Sequence, residues 1–341
     1  MTDVHIVGVD LAKRVFQVHG GDATGRTLFN KKLSRAQFQK FIEDLPTCIV
    51  AMEACGSSHH WGRFAMSFGH EVRLVPASYV KPFVKRHKND AADAEAIGEA
   101  ATRPSMRFVA VKTQDQQSEA MLFRTRELFV GQRTQLINAT RAHLAEHGVI
   151  LPQTRRSGRA FVDRCHEMLA NVPVLVAELV RSYMRQIENV DVEIKDLEQR
   201  VKMSALKNRN AKRLQTMPGV GPMSAMAIQA FCPPAETFSK GRDFAAWLGL
   251  VPCQHSSGGK ERLGKITKMG QRDVRRLLIV GAMSVISASA RKKHCDDPWL
   301  AHMLEKRPRM VVAVALANRM ARRLWAMMIT QRDYDIRGAA A

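Results

Sequence analysis

The chain has 341 residues, enough for two or three domains, and carries 53 Lys plus Arg against 32 Asp plus Glu, a formal net charge of +21. Such an excess points to a polyanionic partner, nucleic acid first and an anionic membrane surface second. No apolar run is long enough to span a bilayer: the most apolar stretch, residues 310–317, is short and gives way to Arg319, Arg322 and Arg323. Acidic and polar residues break up the first apolar segment, which argues against a signal peptide. Six cysteines (Cys48, Cys55, Cys165, Cys232, Cys253, Cys295) are scattered with no C-x-x-C pair, which suits a reducing cytosol and gives no zinc pattern. The expectation is a cytoplasmic protein, nucleoid-associated when it acts, with no membrane partner.

A β-branched run ending Val7-Gly8-Val9 leads into Asp10, and a second β-type run follows at residues 15–19 before the turn chemistry of Gly20-Gly21-Asp22. Strand, acid, tight link and strand form the opening hairpin of a ribonuclease-H-like nuclease fold; an Asp that merely starts a turn is the alternative. Residues 27–33 read as a third strand. Ser34 then caps a helix with Phe38, Phe41, Ile42 and Leu45 on one face, stopped by Pro46. Residues 47–53 are a further buried strand that also finishes in an acid, Glu53. A helix from about Ser57 and a strand at 71–75 complete an alternation that implies an α/β layer with parallel strands.

The basic segment 81–88 runs into Asn89-Asp90-Ala91-Ala92-Asp93, where alanines favour helix and put Asp90 and Asp93 on one face. Acids in a first helical turn are also what the helix dipole favours. Taken together, however, Asp10, Glu53, Asp90 and Asp93 are an oxygen-only set suited to Mg²⁺ or Mn²⁺. Four carboxylates can hold two such ions for in-line attack on a phosphodiester, one activating the nucleophile and one steadying the leaving oxygen. Lys85, Arg86 and Lys88 are candidate phosphate contacts, although a solvated basic face is the commoner explanation for such a run.

Composition shifts after Lys112. Residues 115–147 contain no proline, and Leu122, Leu128, Leu136, Ile137 and Leu144 recur at helical spacing. A second long helix is expected over about 175–206, with Leu179, Tyr183, Ile187, Val190, Ile194, Leu197 and Val201 as a heptad-like seam. The two can pack on each other or on a second protomer. Beyond them, Pro218-Gly219-Val220-Gly221 between apolar helical segments reads as a helix-hairpin-helix turn. There Gly219 and Gly221 would let backbone amides approach phosphate; a plain glycine-rich connector is the alternative.

The polar stretch 253–260 holds Ser256-Ser257-Gly258-Gly259 and is followed by Lys260, Arg262, Lys265 and Lys268. It reads either as a serine nucleophile set among cations or as a phosphate-binding or surface loop. A helix over 271–290 carries Arg272, Arg275 and Arg276 as further candidate nucleic-acid contacts, and another over 310–328 carries Arg319, Arg322 and Arg323.

In the order and content of Gly8-Val9-Asp10-Leu11-Ala12-Lys13, Met52-Glu53-Ala54, residues 88–94, Pro218-Gly219-Val220-Gly221, Leu248-Gly249-Leu250-Val251-Pro252 and Ser256-Ser257-Gly258-Gly259, the chain resembles the DEDD transposases of insertion sequences, the one-ten family with its eleven-eleven branch. The resemblance covers essentially the whole length. It implies a RuvC-like domain at 1–112, a helical coiled-coil segment at 113–209 and a mainly α transposase domain with helix-hairpin-helix and serine loop at 210–341. Matched by position, the tetrad falls on Asp10, Glu53, Asp90 and Asp93, and the nucleophile on Ser257, with Ser256 its neighbour. The implied activity is DNA strand cleavage and exchange directed by a bridge RNA. The metals, two Mg²⁺ or Mn²⁺ ions, present a phosphate that the serine attacks through a transient phosphoserine link. Implied partners are element-end and target DNA, the guide RNA and further protomers in a dimer or tetramer. The rival readings are a RuvC-like junction nuclease that cuts by water attack alone, and a catalytically idle nucleic-acid-binding derivative.

Overall fold

Alternation along two short strands decides what each face of the first sheet carries. In β1 (Ile6–Leu11) and β4 (Ile49–Glu53), Val7, Val9, Val50 and Met52 join one apolar cluster, while Ile6, Ile49 and Ala51 join another on the opposite face. By the same period Gly8, Asp10 and Glu53 belong to the second face.

The computed structural model describes residues 4–84, 90–151, 158–256, 259–260, 262–292 and 297–335, without the side chains of Asp90 and Lys292. The chain divides into two compact units, Met1–Asp115 and Gln116–Ala341.

The first unit holds a mixed sheet of five strands in the order β3-β2-β1-β4-β5, with β2 (Val15–Gly21), β3 (Thr27–Ser34) and β5 (Glu71–Val75). The pairs β1–β2 and β2–β3 are antiparallel, β1–β4 and β4–β5 parallel. Helix α1 (Arg35–Asp44) starts as expected: the Ser34 hydroxyl accepts from the Gln37 amide, and the Gln37 side chain accepts from the Ser34 amide. With α2 (Ser58–Ser67) it covers one face, where Phe16, Phe38 and Trp61 meet edge to face at ring separations of 5.0–5.1 Å. After the short α3 (Ala77–Val80), α4 (Asp90–Thr102) covers the other face through Ala96, Ile97, Ala100 and Ala101.

Helix α4 lies unusually close to β1. A Cβ on Gly8 would sit 2.2 Å from the Ala94 carbonyl oxygen and 2.7 Å from the Gly98 nitrogen. Only a residue without a side chain allows that crossing.

The second unit begins with α5 (Gln114–Glu146), followed by α6 (Gly158–Met168) and α7 (Val174–Lys207). Arg126 pairs with Glu198 and Arg133 with Asp191, each at 2.5 Å, so numbers rise along α5 as they fall along α7. The two are antiparallel partners within one chain. The buried seam of α7 is Ala177, Val180, Met184, Ile187, Asp191, Ile194, Leu197, Val201 and Ala205; it contains Ile187, Ile194, Leu197 and Val201 of the expected seam and corrects the other three positions. Leu179 stands 54% exposed, and Tyr183 and Val190 are only half-buried. Small Ala177 and charged Asp191 occupy seam positions, so a count of large apolar residues slips by one.

Short helices α8 (Arg209–Leu214), α9 (Pro222–Phe231) and α10 (Gly241–Trp247) pack with α11 (Arg272–Lys292), α12 (Pro298–Lys306) and α13 (Arg309–Thr330) around one core that includes Leu214, Ile228, Phe244, Leu278 and Leu324. A small hairpin of β6 (Pro252–Gln254) and β7 (Leu263–Ile266) stands between α10 and α11 in the sequence. No helix is long and apolar enough to cross a membrane, among the described residues.

Replacing Gly8 by Ala should push α4 away from the sheet and cost about 1–3 kcal/mol, the usual penalty for forcing atoms into a filled site. Urea unfolding followed by circular dichroism measures it; an unchanged midpoint would mean that the crossing relaxes freely.

Candidate active site and nucleic-acid interface

Parallel pairing brings the two strand-end acids together. The β1–β4 register runs from Ile6↔Ile49 to Val9↔Met52, and Asp10 and Glu53 are the next residue on each strand. Neighbouring strands lie about 5 Å apart, so the two backbones hold these acids side by side at the carboxyl edge of the sheet. That edge is where open α/β sheets bind ligands. Both residues are half-buried.

Opposite them runs α4. Asp93 lies one residue before Ala94, the residue pressed on Gly8, and four before buried Ile97, so it belongs to the stripe that faces the sheet. It too is half-buried. Asp90 is the first residue of α4, one turn before Ala94; its side chain lies outside the described residues, as do Lys85, Arg86 and Lys88.

Oxygen-only donors of this kind suit a hard divalent ion better than zinc or copper, which favour nitrogen and sulfur ligands. Among the described side chains, no group of three or more His, Cys, Asp or Glu is drawn close enough to hold an ion. In donor chemistry and in strand register the residues fit Mg²⁺ or Mn²⁺.

The described residues around the serines are a loop, as expected, but one flanked by two short strands that the sequence did not show. These flanking strands, β6 and β7, form a hairpin in which Pro252 pairs with Ile266 and Gln254 with Leu263. Beyond the strands the His255 amide donates to the Arg262 carbonyl at 2.8 Å, and the Ser256 hydroxyl accepts from the Arg262 amide at 3.2 Å. One serine of the pair is therefore engaged in closing the hairpin. Ser257 and Gly258 lie outside the described residues.

Cations surround this hairpin. Lys260, Arg262, Lys265, Lys268, Arg272 and Arg276 are all exposed, and Arg276 also pairs with Glu127 of α5. Arg275 is a correction. It is only 9% exposed, and its Nη1 donates to the Leu248 carbonyl at 2.8 Å and the Met269 carbonyl at 3.2 Å. Burial first, and neighbouring Arg272 next, lower its pKa from the ordinary arginine value, with Asp273 acting the other way. Helical spacing turns this side chain inward between Arg272 and Arg276, which face water.

Two of the α13 arginines are likewise bound into the fold. Arg319 pairs with Asp297 at 2.7 Å over the Trp299 ring, and Arg323 donates to the Tyr334 hydroxyl at 2.6 Å, whereas Arg322 remains exposed. In the 215–221 turn between α8 and α9, a Cβ on Gly219 would come 2.8 Å from the Gly281 carbonyl of α11, so this glycine serves helix packing. Gly221 is the N-cap of α9, ahead of Pro222, and a Cβ added to it would meet open space.

The chain is similar to known transposases along its length. A family model for DEDD transposases of the IS110 type matches residues 7–148, and one described as "Transposase IS116/IS110/IS902 family" matches residues 211–295. A Pseudomonas aeruginosa protein named "Probable family 20 transposase" is 44% identical over 332 residues, 96% of this chain and 98% of that protein. The "Transposase for insertion sequence element IS1111A" of Coxiella burnetii is 38% identical, covering 98% of this chain and 92% of its own length. That for element IS1328 of Yersinia enterocolitica is 36% identical, covering 96% and 97%. With matched models on both the strand-end acids and the hairpin, and relatives this similar from end to end, the chain belongs to the IS116/IS110/IS902 family of DEDD DNA transposases.

Proposed function

We propose that this transposase cuts and rejoins DNA with Asp10, Glu53, Asp90 and Asp93 as metal ligands and Ser257 as nucleophile. The observation that carries this reading is the side-by-side placement of Asp10 and Glu53 at the carboxyl edge of β1 and β4, facing the helix that bears Asp93. These carboxylates would hold Mg²⁺ or Mn²⁺, which supplies charge neutralisation at a phosphate.

Ser257 Oγ attacks the phosphorus and forms a new O–P ester as the bond to the departing deoxyribose oxygen breaks. The proton released by the serine ends on that departing oxygen. Reversal by a different deoxyribose hydroxyl reseals the strand without ATP, because ester is exchanged for ester. The Ser256 hydroxyl already accepts from the Arg262 amide, which favours its neighbour for this task. Lys260, Arg262, Lys265, Lys268, Arg272 and Arg276 contact nucleic-acid phosphates.

Guidance by a bridge RNA rests on the family resemblance and on the net charge of +21. Assembly into a dimer or tetramer draws support from α5 and α7. There Met121, Leu128, Val192 and Leu206 stay 58–69% exposed outside the intramolecular seam. Three working parts follow: a RuvC-like domain at 1–112, a coiled-coil segment at 113–209 and a transposase domain at 210–341.

Asp10→Asn, Glu53→Gln, Asp90→Asn and Asp93→Asn should each lower strand cleavage while DNA binding persists. Outer-shell changes at metal sites cost about 10–100-fold, and loss of a direct ligand should exceed that. Chelation should abolish cleavage and Mg²⁺ or Mn²⁺ restore it. Full cleavage by Asp10→Asn in Mg²⁺ would remove that carboxylate from the chemistry.

Nucleic-acid affinity should drop by about a thousandfold between roughly 50 and 200 mM salt if some six or more phosphates are neutralised. A filter-binding salt series reads the slope, and a flat one would make the basic surface a solvated one.

Wild-type protein trapped on a suitable DNA should migrate as a denaturant-resistant adduct, with the phosphoester mapping by peptide analysis to Ser257. Ser257→Ala should lose adduct and recombination, and Ser256→Ala should keep the adduct. Cleavage intact in both variants with no adduct in either would leave a metal-only nuclease.

A further inference from the structure

The serine hairpin is a short element, and its strands are largely exposed. What orients it is its root. Two segments meet there, the leading foot at residues 247–251 and the trailing foot at residues 267–271. The Thr267 amide donates to the Val251 carbonyl at 2.9 Å, Lys268 to Gly249 at 3.2 Å, and Gln271 to Trp247 at 3.3 Å.

The feet are pressed together more tightly than side chains would allow. A Cβ on Gly249 would lie 2.0 Å from the Met269 carbonyl oxygen and 2.7 Å from Arg275 Nη1, and one on Gly270 would lie 1.9 Å from the Trp247 carbonyl. Gly249, Lys268 and Gly270 all have positive φ, at 69°, 54° and 83°. Lys268 is one of only two non-glycine residues with positive φ among those described. A left-handed lysine costs free energy that its surroundings must supply.

One side chain spans both feet. Arg275, from the first turn of α11, donates through the same nitrogen to Leu248 O on the leading foot and Met269 O on the trailing foot. It is buried at 9% exposure. Asn318 of α13 adds a donor to Leu250 O at 3.0 Å. Taking a guanidinium out of water is costly, and a buried cation satisfied by carbonyl oxygens of two chain segments fixes the geometry of both.

We propose that Arg275 is a positioning residue for strand transfer: by clamping Leu248 O and Met269 O it sets the angle at which the hairpin presents Ser257 to the phosphate. Arg275 touches neither DNA nor the reacting atoms in this role. The proposal rests on Ser257 being the nucleophile. Small errors in nucleophile placement carry large rate penalties, so loss of the clamp should be read in the rate of the chemical step.

The test uses the full-length protein, pre-bound to DNA carrying its element end, with Mg²⁺ added to start a single turnover. The measured quantities are the rate constant for covalent adduct formation, the DNA dissociation constant and the melting temperature. Arg275→Met removes both hydrogen bonds at nearly constant volume. Its adduct rate constant should fall by about tenfold to a hundredfold, with DNA affinity within about threefold of wild type. Unfolding of part of the sample lowers the amplitude and leaves the rate constant alone, which separates misplacement from mere instability. Because a single arginine nitrogen makes both contacts, the single ammonium of Arg275→Lys should recover most of the rate.

Should the Met variant be insoluble, Arg275→Gln against Arg275→Lys makes the same comparison, and the Lys variant should be the faster. A Met variant at the wild-type rate constant, or Lys variants no faster than Met or Gln variants, would overturn the clamp while leaving Ser257 as nucleophile. Wild-type cleavage with no adduct would instead overturn the serine reading, and the clamp with it.

Discussion

The first unit depends on one contact, the crossing of α4 over Gly8. The backbone of a helix meets the backbone of a strand with no side chain between them. That approach allows a helix bearing Asp93 to lie directly over strands that end in Asp10 and Glu53. A larger residue at position 8 would hold the same secondary structure with the acids further apart. The arrangement of the edge is thus a packing result: two parallel strands in register put Asp10 and Glu53 on neighbouring strand positions, and the helix that carries Asp93 crosses the same face. On the opposite face Phe16, Phe38 and Trp61 make a rigid apolar bed against which the sheet is held.

Charge placed in the middle of an apolar seam shapes the second unit. Asp191 lies among buried residues of α7 and is paired with Arg133 of α5, while a Cβ on Gly158 would come 2.2 Å from its carboxylate. Buried ion pairs are weak contributors to net stability, but an unpaired member is strongly disfavoured, so such a pair penalises other registers. Together with Arg126 and Glu198 it aligns two helices of 33 and 34 residues whose apolar contacts alone would tolerate sliding. The resulting antiparallel pair leaves a second set of apolar residues exposed, a face distinct from the one already used.

At the hairpin, cations divide into two kinds with different work. Arg272 and Arg276 point outward, and Arg275 between them points into the root. The same division recurs on α13, where Arg319 and Arg323 find partners inside the fold and Arg322 faces water. A basic surface for a polyanion is therefore smaller than a count of arginines suggests, and part of the positive charge serves the scaffold.

Much of this was legible along the chain. Residues 71–75 form the expected strand, Ser34 caps the expected helix, and both acids stand at strand ends, because local periodicity and capping need only near neighbours. On α7 the seam positions Ile187, Ile194, Leu197 and Val201 were legible, but Ala177 and Asp191 were not, since a small and a charged residue give no apolar signal and Asp191 is buried through its pairing with Arg133 of another helix. Nor was the hairpin around Ser256: its strands are three and four residues long, too short to show a period, and are defined by pairing across the turn. The inward turn of Arg275 and the tight crossing at Gly8 belong to the same class. The sequence by itself determined residue chemistry, strand and helix order and the family. Only the tertiary structure decided which glycine admits a helix, which arginine faces the core and which carboxylates share an edge, because each is set by contacts between segments distant in the chain.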